Sequence, residues 1–352
     1  MPLTIETYNR EESNAIAGAG YAQIAAFQTS TFNAFGFPTN ASLATELLRY
    51  VDYFAGMDAL ERLEPGRYFP AAGLRSDFTF DEVAMLTKIS KGVGDLTERN
   101  MGRRLTPHFS HMGGMGHARM VHAIATAYNK DSASVFEVGP GAGYAGVILG
   151  LLGHKYSSYD ITQGYYLWQS RLLSHFFAEE FLECCGEDNL ELSSLPRIAH
   201  MPWWVYMNLF KNCPLRADII LSNANLGEMN YWCLRYVLRI CRIMFQDSPI
   251  GMIVYGNPGD SHHNSEDIIE NELEIAGFVR VVGKSMNAFA LADHLPARDL
   301  IERLEMEVPK IGDDGSGKTY GPLDFLSFDG DDMHDEFDFF SFLADWPELG
   351  AR

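Results

Sequence analysis

Residues 132–160 read SASVFEVGPGAGYAGVILGLLGHKYSSYD, and this stretch decides the fold. Val135, Phe136 and Val138 are strand formers in a short apolar run. Gly139, Gly141 and Gly143 break that run, residues 144–152 open an apolar helix, and a second strand closes on Asp160. A strand, glycine turn, helix and strand in this order form a nucleotide-type pocket. Without Cβ atoms in the turn, backbone N–H groups and a helix N-terminus can approach a ligand closely.

Downstream of this unit the chain keeps alternating. Helices are predicted over 165–184, 231–245 and 266–276, and strands over 197–200, 218–222, 250–255 and 278–282. That pattern predicts an α/β core with a mainly parallel sheet and helices on both faces. Upstream, no such alternation occurs. Helices are expected over 21–34, 42–63 and 80–96, with Leu43, Leu47, Leu48, Val51 and Phe54 sharing one face of the second. This helical appendage reads as a lid, a dimerisation arm giving a homodimer, or packed scaffold. The sequence TPHFSHMGGMGHARM, with Gly113, Gly114 and Gly116, reads as a flexible joint leading into a helix over 118–129. The expected division is 1–130 helical extension, 131–311 catalytic core and 312–352 acidic-aromatic tail, which docks on the body or a partner or is solvated.

With 352 residues, 47% hydrophobic and 21% charged, the chain can bury a large core. The net charge of −20 opposes a nucleic-acid partner or an anionic membrane surface, because phosphate binding draws on clustered Lys and Arg. No apolar run approaches the roughly 20 residues of a membrane helix. The start, MPLTIETYNREESN, carries acids and no charged-then-apolar leader, so a cytoplasmic protein is expected. The five cysteines have no CxxC spacing and read as reduced thiols. No metal is expected: His108-x-x-His111 lacks nearby carboxylates, and the acids of the tail miss calcium-loop spacing.

The chemistry of the turn narrows the ligand. Asp160 stands 21 positions after Gly139 at a strand end, where an acid accepts hydrogen bonds from ribose hydroxyls. Glu137 precedes the first glycine by two positions and Pro140 interrupts the turn. A carboxylate there suits a ligand with a cationic amine better than a pyrophosphate, which points away from NAD and toward S-adenosylmethionine.

On these residues the chain resembles the class I S-adenosylmethionine-dependent methyltransferases, with a Rossmann-like, mainly parallel seven-stranded sheet. VFEVGPGAGYAGVILGLLGHKYSSYDITQGYYLWQ, HMPWW and ADIILSNANLGEM are similar to the sugar O-methyltransferase group within them, over residues 131–258. The resemblance implies that Gly139, Gly141 and Gly143 lie against the methionine moiety, with Glu137 near its amine. Asp160 would bind the ribose and Ile161 cover the adenine, while His200, Met201 and Trp203 follow the strand where the adenine edge is read. Asn223, Asn225 and Glu228 fall where such enzymes place groups beside the sulfonium. The stretch departs from the Asn-Pro-Pro-aromatic motif, which argues against a planar nucleic-acid nitrogen as acceptor. Helix capping is the structural alternative for the two asparagines.

Among many aromatics that core packing alone explains, Tyr165 or Tyr166 is the expected partner for the sulfonium cation. The expected reaction is methyl transfer to a hydroxyl of a small acceptor, of the kind found in secondary metabolism. In-line positioning and water exclusion would do most of the work. His108, His111, His117 and Glu228 are the candidate bases. Two alternatives stay open. One is ring closure of the cofactor itself to azetidine-2-carboxylate with loss of methylthioadenosine; the other is a binding module without catalysis.

Overall fold

The computed structural model describes residues 3–18, 80–102, 104, 110–187, 190–210, 212–222, 225–229, 231–255, 264–283, 287–296 and 301–302. The strands are β1 (Ser134–Val138), β2 (Lys155–Asp160), β3 (Phe181–Glu183), β4 (Ile198–Pro202), β5 (Ile219–Ser222), β6 (Met252–Tyr255), β7 (Phe278–Gly283) and β8 (Asn287–Leu291). They join one sheet in the order β3-β4-β2-β1-β5-β6-β8-β7. All pairs are parallel except those of β8, which runs antiparallel between β6 and β7.

The sheet therefore has eight strands where seven were expected. The addition is β3, three residues at the edge of β4, cut from the end of the helix predicted over 165–184. That helix, α5, stops at Phe177, after which the chain turns back to pair Phe181 with Ile198. β8 had also gone unpredicted within the core.

Three helices precede the sheet: α1 (Ile5–Gly18), α2 (Phe80–Met101) and α3 (Ser110–Ala127). The others are α4 (Tyr144–Leu151), α5 (Gln163–Phe177), α6 (Trp203–Asn208), α7 (Asn225–Glu228), α8 (Tyr231–Met244) and α9 (Glu266–Ile275). From β1 the chain winds outward through α4 to β2, and from β5 it winds the other way through α8 to β6. Right-handed crossovers in opposite directions put α4 and α8 on opposite faces, the doubly wound arrangement. Strand alternation follows the same division. Phe136 stacks with Tyr206 of α6 on one face, while Glu137 meets Tyr156, which lies under Gly146 of α4, on the other.

The joint expected at the glycines is instead continuous helix: α3 runs through Gly113, Gly114 and Gly116. Gly114 explains why. A Cβ there would sit 2.9 Å from the backbone nitrogen of Ala145, so its absence lets α3 and α4 approach backbone to backbone. Tertiary contact outweighs the roughly 1 kcal/mol that a helical glycine costs. Side chains of α1, α2 and α3, among them Tyr8, Ile89 and Ile124, share one hydrophobic cluster with the sheet. The helices predicted over 21–34 and 42–63, and the tail over 312–352, lie outside the described residues.

Candidate functional site

The sheet reverses its winding between β1 and β5, and in doubly wound folds the crevice beyond the strand C-termini at this point is the ligand site. A cavity opens there. It is narrow and is lined by Gly139, Tyr159, Ile161, Asn225, Met229 and Cys233. These residues come from the ends of β1 and β2 and from the segment after β5, so three distant pieces of sequence meet in one wall.

The glycine turn is shaped for this place. Gly139, Gly141 and Gly143 all have positive φ, at 62°, 56° and 76°, the left-handed region that costs other residues about 1–2 kcal/mol. Gly139 is needed for a second reason: a Cβ on it would lie 2.3 Å from the side-chain nitrogen of Asn225. The amide of Asn225 thus rests directly on the turn. Its Oδ1 is buried and, among the described residues, has no hydrogen-bond partner, as is also true of Ser222 Oγ at the end of β5.

Asp160 ends β2 with only 2% of its surface exposed. Its Oδ1 accepts from the Thr162 backbone N–H at 2.9 Å, and its Oδ2 accepts from the Gln169 amide at 2.8 Å. The same Gln169 nitrogen donates to the carbonyl of Gly141 at 2.5 Å, and the neighbouring Trp168 indole donates to the carbonyl of Ala142 at 3.1 Å. Helix α5 therefore staples the glycine turn to the acid at the end of β2. Burial pushes the Asp160 carboxyl up to about 6 against these hydrogen bonds, which favour its charge.

Glu137 is buried beneath α4 and accepts a hydrogen bond from the Tyr156 hydroxyl at 2.5 Å. Burial pushes its carboxyl up to about 7. Glu228, at the end of α7, is half-buried; burial, then the charge of Asp160, raises it to about 7. Glu228 and Asp160 thus raise one another's cost of ionising.

Helix α1 lies over the β2–β4 side. Tyr8 packs its ring 5.2 Å from Tyr166 and 5.0 Å from Trp204, the Trp203 indole donates to Glu12 at 3.0 Å, and the Gln163 amide donates to Asn9. Burial raises the Glu12 carboxyl, while the Trp203 hydrogen bond lowers it. Sequence reading passed over α1, because among its side chains only Ile5 and Tyr8 are buried and the residues that hydrogen-bond to it stand 154 and 191 positions away.

The remaining candidates fall as follows. Met201 is buried in β4, opposite Tyr159 of β2. Trp203 begins α6, and Tyr165 is buried in the first turn of α5. Tyr166 stacks on His200 with ring centres 4.2 Å apart and donates to Glu183, so its ring faces belong to the sheet edge. His117 is buried on α3. The backbone of His111 lies in α3, but its side chain, like all of His108 and Asn223, lies outside what is described. Gln169 was not singled out in the sequence, where it stands in a polar triplet with Ser170 and Arg171 between apolar Trp168 and Leu172. Among the described residues no group of three His, Cys, Asp or Glu side chains is placed to hold a metal ion, and no helix is long and apolar enough to cross a membrane.

Fold and site together define a Rossmann-like, doubly wound α/β protein with a ligand crevice at the strand-order switch. Solved structures that resemble the chain include a class I S-adenosylmethionine-dependent methyltransferase from Listeria monocytogenes, at 11% identity over 83% of this chain and 90% of that one, with a TM-score of 0.38. A TehB-like SAM-dependent methyltransferase from Corynebacterium glutamicum matches at 15% identity over 50% of this chain and 87% of its own, with a TM-score of 0.36. Magnesium protoporphyrin IX methyltransferase from Synechocystis with bound SAM matches at 12% identity over 58% and 95%, with a TM-score of 0.35. No family model and no curated protein matches the chain.

Proposed function

We propose that the crevice binds S-adenosylmethionine and that the protein transfers its methyl group to a hydroxyl of a small molecule. The observation that carries this reading is the meeting of the positive-φ glycine turn, the Asp160 carboxylate and the Asn225 amide around the switch-point cavity. The residues fit the group. Gly141 has open space where a Cβ would stand, Asp160 ends β2 beside the turn, and the orphaned oxygens of Asn225 and Ser222 favour a cationic neighbour.

In this reading Asp160 holds the ribose, the turn and Asn225 line the methionine end, and Ile161 covers the base. The cofactor supplies an electrophilic methyl on a positively charged sulfur. Apolar Met229 and Cys233 line the crevice and keep water away, which strengthens the electrostatics inside. A hydroxyl acceptor must lose its proton as the new bond to carbon forms. Glu228, poised near 7, is matched to receive it at neutral pH. No described side chain among the cavity's lining is basic, which favours a neutral acceptor over a phosphorylated one.

The test is product analysis by mass spectrometry after incubation with the cofactor, alone and with a panel of hydroxylated small molecules. The expected outcome is S-adenosylhomocysteine formed only with an acceptor, matched by a gain of one methyl on that acceptor. Methylthioadenosine released without any acceptor would replace methyl transfer by ring closure, and an inert cofactor in both arms would overturn the reading.

A further inference from the structure

We infer that Gln169 is a positioning residue within the ligand crevice, fixing the Asp160 carboxylate and the glycine turn at one separation. This rests on the cofactor reading above. The geometry assigns the orientation of the amide: the Gly141 carbonyl can only accept, so the group 2.5 Å from it is the nitrogen, and the same nitrogen stands 2.8 Å from Asp160 Oδ2. Both of its protons are thereby used, one on the acid and one on the turn. The side chain is fully buried, and a Cβ on Gly143 would lie 3.1 Å from its Cγ, so the turn itself packs against the Gln169 stem. Trp168 holds the next carbonyl of the turn from the same helix, at 3.1 Å.

A ligand that spans from Asp160 to the turn gains from having both ends placed before it arrives, because ordering them at the moment of binding costs affinity. A ligand that reaches only Asp160 gains less. Substitution of Gln169 therefore weakens the whole cofactor more than its nucleoside fragment.

Two variants separate positioning from folding. Q169L removes both hydrogen bonds. Q169E keeps the shape but, when ionised, can donate to neither acceptor and places a second carboxylate beside Asp160. Two such carboxylates share protons, and once one is bound a donor is restored. The titratable groups that feel the Asp160 charge include Tyr8 on α1, Glu137 on β1, Tyr156 and Tyr159 on β2 and Glu228 on α7. All are common to the wild type, against which Q169E is read at each pH.

The experiment is calorimetric titration of the full-length protein and both variants with S-adenosylmethionine and with adenosine, at pH 8.5 and pH 6. For Q169L the expected loss is about 10-fold or more on the cofactor, the scale of a hydrogen bond to a charged group, and a smaller loss on adenosine. Q169E should lose at least as much at pH 8.5 and recover most of it at pH 6 relative to wild type. Equal losses on cofactor and adenosine, a Q169E deficit that is flat with pH, or variants within twofold of a wild type that binds would overturn the inference alone. A wild type that binds no cofactor would overturn the proposed function and the inference with it.

Discussion

The β2 end and the β5 end of the crevice are built differently. At the β2 end polar groups are saturated: Asp160 is held by Thr162 and Gln169, and the turn carbonyls are stapled to α5. At the β5 end, Asn225 Oδ1 and Ser222 Oγ are buried without a partner among the described residues, and Glu228 is pushed up to about 7. An orphaned buried polar atom costs roughly 1–3 kcal/mol, so the β5 end holds polarity that a bound molecule would satisfy. On the proposed function, one end binds and the other reacts. The contrast teaches where substitutions should divide into effects on affinity and effects on rate.

The largest expected effect is at the reacting end. Glu228→Gln keeps the shape and removes the base, so kcat should fall by about 100-fold or more while the cofactor Kd stays within about threefold. In wild type kcat should rise with pH through about 7 as Glu228 ionises, and this limb should vanish in E228Q. A parallel loss of affinity would show that the two ends are not separable.

Gly139→Ala strikes the point where the ends touch. A Cβ at φ 62° is strained and stands 2.3 Å from the Asn225 amide, so that side chain must move. Cofactor affinity should fall by about 10- to 100-fold, from a strain of about 1–2 kcal/mol and the lost contact. Affinity within twofold of wild type, measured by calorimetry, would detach Asn225 from the binding end.

A smaller effect is expected where α1 packs on α5 and α6. Trp203→Phe removes the hydrogen bond to Glu12, worth about 1 kcal/mol or about fivefold, and loosens α1. Faster cofactor association with slightly faster release, seen by stopped flow, is the expected signature.

The smallest is on stability. Glu137 and Asp160 have native values near 7 and 6, above the roughly 4 of the unfolded chain. Between those limits the native state holds more protons, so the slope of stability with pH is negative. Thermal melts of the ligand-free protein should therefore drop by a few degrees from pH 5 to pH 8. Burial also pushes His154 down to about 4 and His200 to about 3, which acts in the opposite sense below about pH 6.5, so a rise between pH 6.5 and pH 8 is the result that would contradict the burial of Glu137.

Sequence reading reached the β2 end more fully than the rest. The glycines, Glu137 and Asp160 sit within one local unit, and spacing alone aligns them. The core strands and helices followed from alternation and apolar runs. What stayed hidden depends on contacts between distant segments. The glycines of α3 read as a joint because sequence cannot show Gly114 against Ala145. Helix α1 has a thin apolar face and is fixed by Trp203 and Gln163. β3 is three residues long, and only its pairing with β4 makes it a strand. Gln169 looked like one of several polar residues along α5 until the fold set its amide between Asp160 and Gly141.

The most direct measurement of the central claim is calorimetric titration of the full-length protein with S-adenosylmethionine, for wild type and for Asp160→Ala. The account predicts saturable binding to one site in the wild type and a loss of about 10-fold or more in the variant, since hydrogen bonds to a buried carboxylate are removed. No binding by the wild type, or affinity undiminished in the variant, would contradict it.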